Sequence, residues 1–137
     1  MAELTGITAV RPTSNTLIAR VIYGATVSAG QVVYLDTTDG EYKLADANGA
    51  SEATSQAKGI AITPGVDGGY GFIATGGDII LVGTTMNVAY DYYVGFTPGG
   101  LMDFGSWASS DYITRIGNAV SATQLALNID ITGNQVP

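Results

Sequence analysis

Three carboxylates, Asp36, Asp39 and Glu41, are close together in one predicted turn. Closely spaced carboxylate oxygens are what a calcium ion binds, so this segment is a candidate metal site. An EF-hand loop, however, alternates its Asp or Asn ligands around a central glycine and ends in a distant Glu, and that spacing is missing here. Because Asp39-Gly40 is a strong hairpin signal, we interpret the carboxylates as solvated residues of a type I′ turn and expect no metal.

A second pair of carboxylates, Asp91 and Asp103, is predicted on consecutive strands of a hairpin. Two such groups could approach each other as the catalytic pair of a glycosidase does. Aspartate at a strand edge also has a simpler role, since it prevents edge-to-edge pairing of sheets. The 137 residues contain no histidine and no cysteine, and so neither a side chain that exchanges protons near neutral pH nor a thiolate nucleophile. We expect a protein that is not an enzyme, with no catalytic residues and no cofactor.

Aromatic side chains form a third group, Tyr90, Tyr92, Tyr93, Phe96 and Trp107. Strand alternation places Tyr90 and Tyr92 on one face and Tyr93 on the other. One face is expected in the core, and the other could anchor a subunit contact or stack on a sugar. We predict Tyr90, Tyr92 and Trp107 at a protein interface. An adhesin-like, carbohydrate-binding β-module on a virion or cell surface is the alternative function.

The low charge of the chain favours a protein rich in interfaces. Only 12% of the residues are charged, against about 25% in an average soluble domain, whereas 46% are hydrophobic. Interface centres are depleted of charge, which predicts a homo-oligomer or a subunit of a larger assembly. The net charge of −7 and the scattering of only five basic residues argue against nucleic acid as a partner. No apolar run is long enough for a membrane span, and residues 1–5 lack the features of a signal peptide, so we expect synthesis in the cytoplasm and no membrane partner.

Short β-strands separated by turn residues dominate the local pattern. Val, Ile, Thr and Tyr are frequent in these segments, and Gly or Pro separates them. This predicts an all-β fold, a single-domain β-sandwich or barrel of a jelly-roll-like or β-tulip-like form. The predicted strands are 16–23, 31–35, 41–44, 59–63, 70–75, 78–82, 90–97, 101–104, 111–120 and 123–132.

The chain also resembles itself when it is shifted by about 59 residues. The strand 31–35, its turn and the strand up to residue 44 match a strand, turn and strand between residues 90 and 104. Downstream, residues 58–62 resemble residues 116–120. Two interpretations are open, a pair of similar β-modules or a chance likeness between two hairpins.

Residues 1–15 are predicted to form an extended N-terminal arm, followed by a single β domain over residues 16–137. Pro12 disfavours a helical conformation at Arg11 and favours an extended chain. We predict that Leu4, Ile7, Val10 and Arg11 contact a neighbouring molecule. The alternative is an ordinary first strand within the domain itself.

Several strand and turn segments resemble those of a known protein family. They are 6–10 (GITAV), 32–36 (VVYLD), 42–46 (YKLAD), 57–61 (AKGIA), 68–74 (GGYGFIA), 77–83 (GDIILVG) and 122–125 (ATQL). Through these segments, which span nearly the whole chain, it resembles the small head decoration, or capsid cement, proteins of tailed bacteriophages. The likeness lies in structural strands and turns and involves no active site.

The resemblance implies an all-β protein that forms homo-oligomers, commonly trimers and sometimes dimers, and clamps the outside of a capsid. The implied partner is a major capsid protein with the usual fold of tailed-phage heads, and the implied location is the exterior of the virion. The expected function is therefore structural, to bind the outer capsid surface and stabilise the major capsid protein lattice. A trimer is preferred on this basis, with a dimer as the alternative.

Overall fold

The computed structural model describes residues 3–48, 51–103 and 111–135. In this part of the chain a curled antiparallel sheet of ten strands forms a half-barrel, which confirms the all-β prediction. A short 3₁₀ helix, Glu52–Ser55, precedes the fifth strand. The strands are β1 (Ala9–Pro12), β2 (Leu17–Ile22), β3 (Val32–Asp36), β4 (Glu41–Leu44), β5 (Ala57–Ala61), β6 (Tyr70–Val82), β7 (Asp91–Val94), β8 (Leu101–Asp103), β9 (Tyr112–Ala119) and β10 (Gln124–Gln135).

The longest strand, β6, is shared between two halves of the sheet. Residues 70–76 pair with β2 on one side and with β5 on the other, whereas residues 77–82 pair with β1 and β10. The strand bends between these halves at Gly77, whose φ of +73° favours glycine over a residue with a side chain. Beside the bend, the main-chain N–H of Asp78 donates to Asn15 Oδ1 at 3.0 Å. β6 therefore joins two groups of strands without a separate linker.

The repeat in the sequence corresponds to two groups of strands with the same topology. We define the first module as β2, β3, β4, β5 and residues 70–76, and the second module as residues 77–82 with β7, β8, β9 and β10. The order of strands in the sheet is β4-β3-β5-β6-β2 in the first module and β8-β7-β9-β10-β6 in the second. The interpretation as two similar β-modules is therefore confirmed, and β6 is the last strand of one module and the first strand of the other.

Both modules contain the same β-bulge. Lys58 is an extra residue of β5 opposite β3, and Ile116 is an extra residue of β9 opposite β7. A glycine follows each bulge, Gly59 and Gly117, and at either position a Cβ atom would collide with a carbonyl oxygen of the strand on the other side. A chance likeness between two hairpins does not explain this shared irregularity, because a bulge bends a strand at one defined place.

The first module is buried on both faces of its central strands. Val33, Ala61 and Ile73 point into a small core within this module. Their neighbours Val32 and Ile60 point the other way, into the main core that both modules share. Because side chains alternate along a strand, continuous apolar runs are what a strand buried on both faces requires. The shared core holds the two modules together.

Gly117→Ala should lower the free energy of unfolding by about 1–3 kcal/mol, because the added methyl group meets the main chain of β10, which cannot move aside as a flexible side chain can. Gly76→Ala is the matched control, since the nearest atoms to its Cβ would belong to the side chain of Leu17, at 3.0 Å. Urea unfolding followed by circular dichroism measures both changes. Equal losses in the two variants would contradict the close approach of β9 and β10.

Candidate interaction surfaces

The N-terminal segment is an added strand of the second module. The main-chain N–H of Leu4 donates to the carbonyl oxygen of Leu101 in β8, at 2.7 Å. Further along, the N–H of Thr8 donates to Val82 at 2.8 Å, and β1 pairs antiparallel with β6. Residues 3–12 therefore run from β8 to β6, and in the single chain this extended segment lies against its own domain.

The four side chains predicted for an interface in this segment differ in burial. Leu4 and Ile7 are partly buried against the main core, and Val10 belongs to that core, with 6% of its surface exposed. Arg11 is exposed. Arg11 is therefore the most accessible of the four side chains to a partner, and Leu4 and Ile7 remain partly accessible.

Two clefts flank the N-terminal segment, with volumes of about 330 and 360 Å³. Glu3 lines both of them, and its Oε2 accepts the main-chain N–H of Thr97 at 2.9 Å. The larger cleft is also lined by Asp103, which is 7% exposed and whose Oδ1 has no hydrogen-bond partner. Within residues 3–48, 51–103 and 111–135, no three or more Asp, Glu, His or Cys side chains are arranged to hold a metal ion.

Two tyrosines predicted for an interface lie in different surroundings. Tyr92 is 1% exposed, and its hydroxyl accepts the main-chain N–H of Asn87 at 2.9 Å. Burial raises the pKa of Tyr92 above its ordinary value. Tyr90 is 39% exposed and lies just before β7, and the third predicted residue, Trp107, is outside the described residues. The ring of Tyr92 is therefore part of the core and has no face on which a ligand could stack.

The carboxylates of Asp91 and Asp103 lie on opposite faces of the β7–β8 hairpin. Tyr92 pairs with Asp103, so these two side chains share a face, and Asp91, one residue earlier, points to the other. Asp91 forms an ion pair with Arg115 of β9, whose Nη2 donates to Oδ1 at 3.0 Å. The structure therefore does not bring the two carboxylates together in the manner of a glycosidase.

A lysine forms ion pairs with two carboxylates of the β3–β4 turn. Lys43 Nζ lies 2.7 Å from Asp36 Oδ2 and 2.9 Å from Asp39 Oδ2. The hydrogen bond from Lys43 holds the pKa of Asp36 well below its ordinary range, and the two carboxylates raise the pKa of Lys43. The ammonium group thus supplies the positive charge that a bound cation would otherwise bring.

The prediction of a type I′ turn at this site was wrong. Asp36 pairs with Glu41, so four residues separate the strands, and the N–H of Gly40 donates to the carbonyl oxygen of Asp36 at 2.8 Å. Gly40, with a φ of +74°, still provides the left-handed residue that the Asp-Gly signal indicated. The turn is longer because Asp36 Oδ1 accepts the N–H of Thr38 at 3.0 Å, a local side-chain turn that competes with strand pairing.

An apolar face on the outside of β2 and β6 was not identified from the sequence. Ile18 and Ile22 of β2 are 50% and 37% exposed, and Tyr70 and Phe72 of β6 are 61% and 44% exposed. The pairing of β2 with β6 makes these side chains neighbours. Arg20, between the two isoleucines, lies over the ring of Tyr70, with Cζ 4.0 Å from the centroid. We call these five residues the β2–β6 face.

The comparisons with known proteins find no match, either to a protein-family model or to a curated protein sequence. Among the described residues, none lies in a helix long and apolar enough to cross a membrane.

Removal of Lys43 should lower stability in a pH-dependent way. Because the pKa values of Asp36 and Asp39 are lowered in the folded protein, the stabilisation is present at neutral pH and is lost as the pH falls below the unfolded carboxyl pKa of about 4. Lys43→Met should therefore melt below the wild type at neutral pH, and the difference in Tm should shrink toward about pH 2.

Lys58→Met is the control, since it removes the same charge from an exposed position on β5. Thermal unfolding by circular dichroism over a series of pH values measures all three proteins. A Tm difference between the wild type and Lys43→Met that is the same at acidic and neutral pH would contradict the ion-pair assignment.

Proposed function

We propose that the protein is a structural virion protein that binds the outer surface of a tailed-phage capsid and stabilises the lattice of the major capsid protein. The β2–β6 face carries this proposal, because large apolar side chains lie together on the outside of a chain with only 12% charged residues. Contiguous exposed apolar patches mark sites of interaction with other proteins. The resemblance to capsid decoration proteins supplies the kind of partner.

The two-module framework suits a protein that acts by adhesion. β6 runs through both modules and the main core joins them, so a force on one module reaches the other through main-chain hydrogen bonds. A capsid offers the same contact many times, and an oligomer that engages several contacts at once gains affinity without a strong single site. The proposed partners are the major capsid protein and further copies of this chain, as a trimer or a dimer, on the exterior of the virion.

The carbohydrate-binding alternative has less support. It depended on Tyr90, Tyr92 and Trp107 as an exposed aromatic platform, and Tyr92 lies in the core. Of the acidic groups that could have bound sugar hydroxyls, Asp36 and Asp39 are paired with Lys43, and Asp91 is paired with Arg115.

Heating capsids with and without the protein tests the proposal. Capsids of the phage that encodes the chain should, after reconstitution with the protein, come apart at a higher temperature than undecorated capsids. Scanning calorimetry measures the transition, and electron microscopy of the heated samples shows whether shells remain. An unchanged transition in shells that have bound the protein would contradict stabilisation, and a failure to bind would contradict the capsid as partner.

Arg11→Ala should weaken binding to capsids without a loss of stability, because this side chain is exposed on the N-terminal segment. Val10→Ala is the contrasting variant, since it removes buried methyl groups and should cost about 1–3 kcal/mol of stability. Co-sedimentation with capsids measures binding, and thermal unfolding measures stability. Wild-type binding by Arg11→Ala would show that this part of the N-terminal segment is not a capsid contact.

A further inference from the structure

One edge of β2 is open along most of its length. The strand pairs with β6 on one side. On the other side, in the part of the chain that the structure describes, the main-chain contact lies just beyond the end of the strand, where the N–H of Gly24 donates to the carbonyl oxygen of Tyr42 at 2.7 Å. Residues 17–22, which precede this contact, therefore form an edge strand. An edge strand is a template for pairing with another chain.

Three residues of β2 direct unpaired main-chain hydrogen-bonding groups toward this edge. Tyr23, just after β2, faces β6, since its N–H donates to the carbonyl oxygen of Gly69 at 2.8 Å. Main-chain groups alternate in direction along a strand, so Ile18, Arg20 and Ile22 direct their N–H and C=O groups toward the open edge. The side chains of these same three residues are exposed on the outer face.

The second module shows what covers the equivalent edge. Residues 77–82 of β6 occupy the place in the second module that β2 occupies in the first. β1 pairs antiparallel along those residues and closes the edge. The fold thus has two equivalent edges, and β1 covers the one in the second module, so the edge of β2 in the first module stays open.

The side chains beside the open edge are apolar. Ile18 and Ile22 of β2 are 50% and 37% exposed, and Tyr70 and Phe72 of the paired strand continue the apolar surface away from the edge. The charge of Arg20 is directed over the Tyr70 ring. Pairing of two β2 edges sets the isoleucines of the two copies side by side, so that the two β2–β6 faces form one continuous apolar surface.

We infer that the edge of β2 pairs antiparallel with the edge of β2 in a second copy of this chain. The precedent is β1, an antiparallel strand that closes the equivalent edge of β6, and the exposed isoleucines of one β2 edge can pack beside those of a second copy. Two identical antiparallel strands are related by a two-fold axis, so both copies contribute the same residues. Like charges directly opposite each other are unfavourable, so the register sets Arg20 opposite an isoleucine of the second copy.

This inference deepens the homo-oligomer of the proposed function and selects its dimeric form, but it does not depend on the capsid. Sedimentation velocity of the isolated protein at micromolar concentration is the test. The wild type should sediment as a dimer of the 14.0 kDa chain. The double variant Ile18→Lys/Ile22→Lys should sediment as a monomer, because lysines on an edge strand oppose pairing.

The matched control is Val88→Lys/Val120→Lys. It places two lysines at exposed apolar positions outside the β2–β6 face, where the valines are 59% and 47% exposed, and it should remain a dimer. Circular dichroism verifies that each variant retains its β-sheet.

Hydrogen exchange of the wild type gives a readout that needs no variant. The amide protons of Ile18, Arg20 and Ile22 should exchange more slowly as the protein concentration rises, because pairing removes them from solvent. A monomer at all concentrations, a trimer, a dimer that persists in the Ile18→Lys/Ile22→Lys variant, or exchange independent of concentration would each overturn the inference. A failure to bind capsids would leave these results unchanged, so the two failures are distinguishable.

Discussion

Main-chain hydrogen bonding along β6 holds the two modules in one sheet. Both edges of this strand are paired, with β2 and β5 over residues 70–76 and with β1 and β10 over residues 77–82. The left-handed conformation of Gly77 lets the strand change direction and enter the second module. Each module takes half of β6 as a structural strand, so neither module is complete without the other.

The same arrangement determines which surfaces remain open. A repeated module creates two equivalent edges, and the N-terminal strand β1 covers the one formed by β6. The edge of β2 stays uncovered in the described chain, next to side chains such as Phe72 and Ile18 that a soluble monomer has little reason to expose. The fold therefore leaves an apolar surface beside an unpaired edge, and the proposed role on a capsid is based on that surface together with the family resemblance.

Features that depend on neighbouring residues could be predicted from the sequence, whereas features that depend on residues distant in the chain could not. Strands such as β3 and the glycine of the following turn were predictable because alternation and the Asp-Gly signal involve neighbouring residues. Two similar modules were predictable from the repeat. The burial of Tyr92 and the exposure of Ile18 were not, because both lie in alternating strands, and strands distant in the chain decide which face is covered. The length of the β3–β4 turn was missed since it depends on a side-chain hydrogen bond of Asp36.

Cryo-electron microscopy of capsids incubated with the protein shows directly whether it binds to the outside of the shell. Density that fits the two-module fold should lie on the outer surface, in contact with the major capsid protein and repeated at equivalent points of the capsid symmetry. A bare outer surface at saturating protein, or density confined to the interior, would contradict the proposed binding.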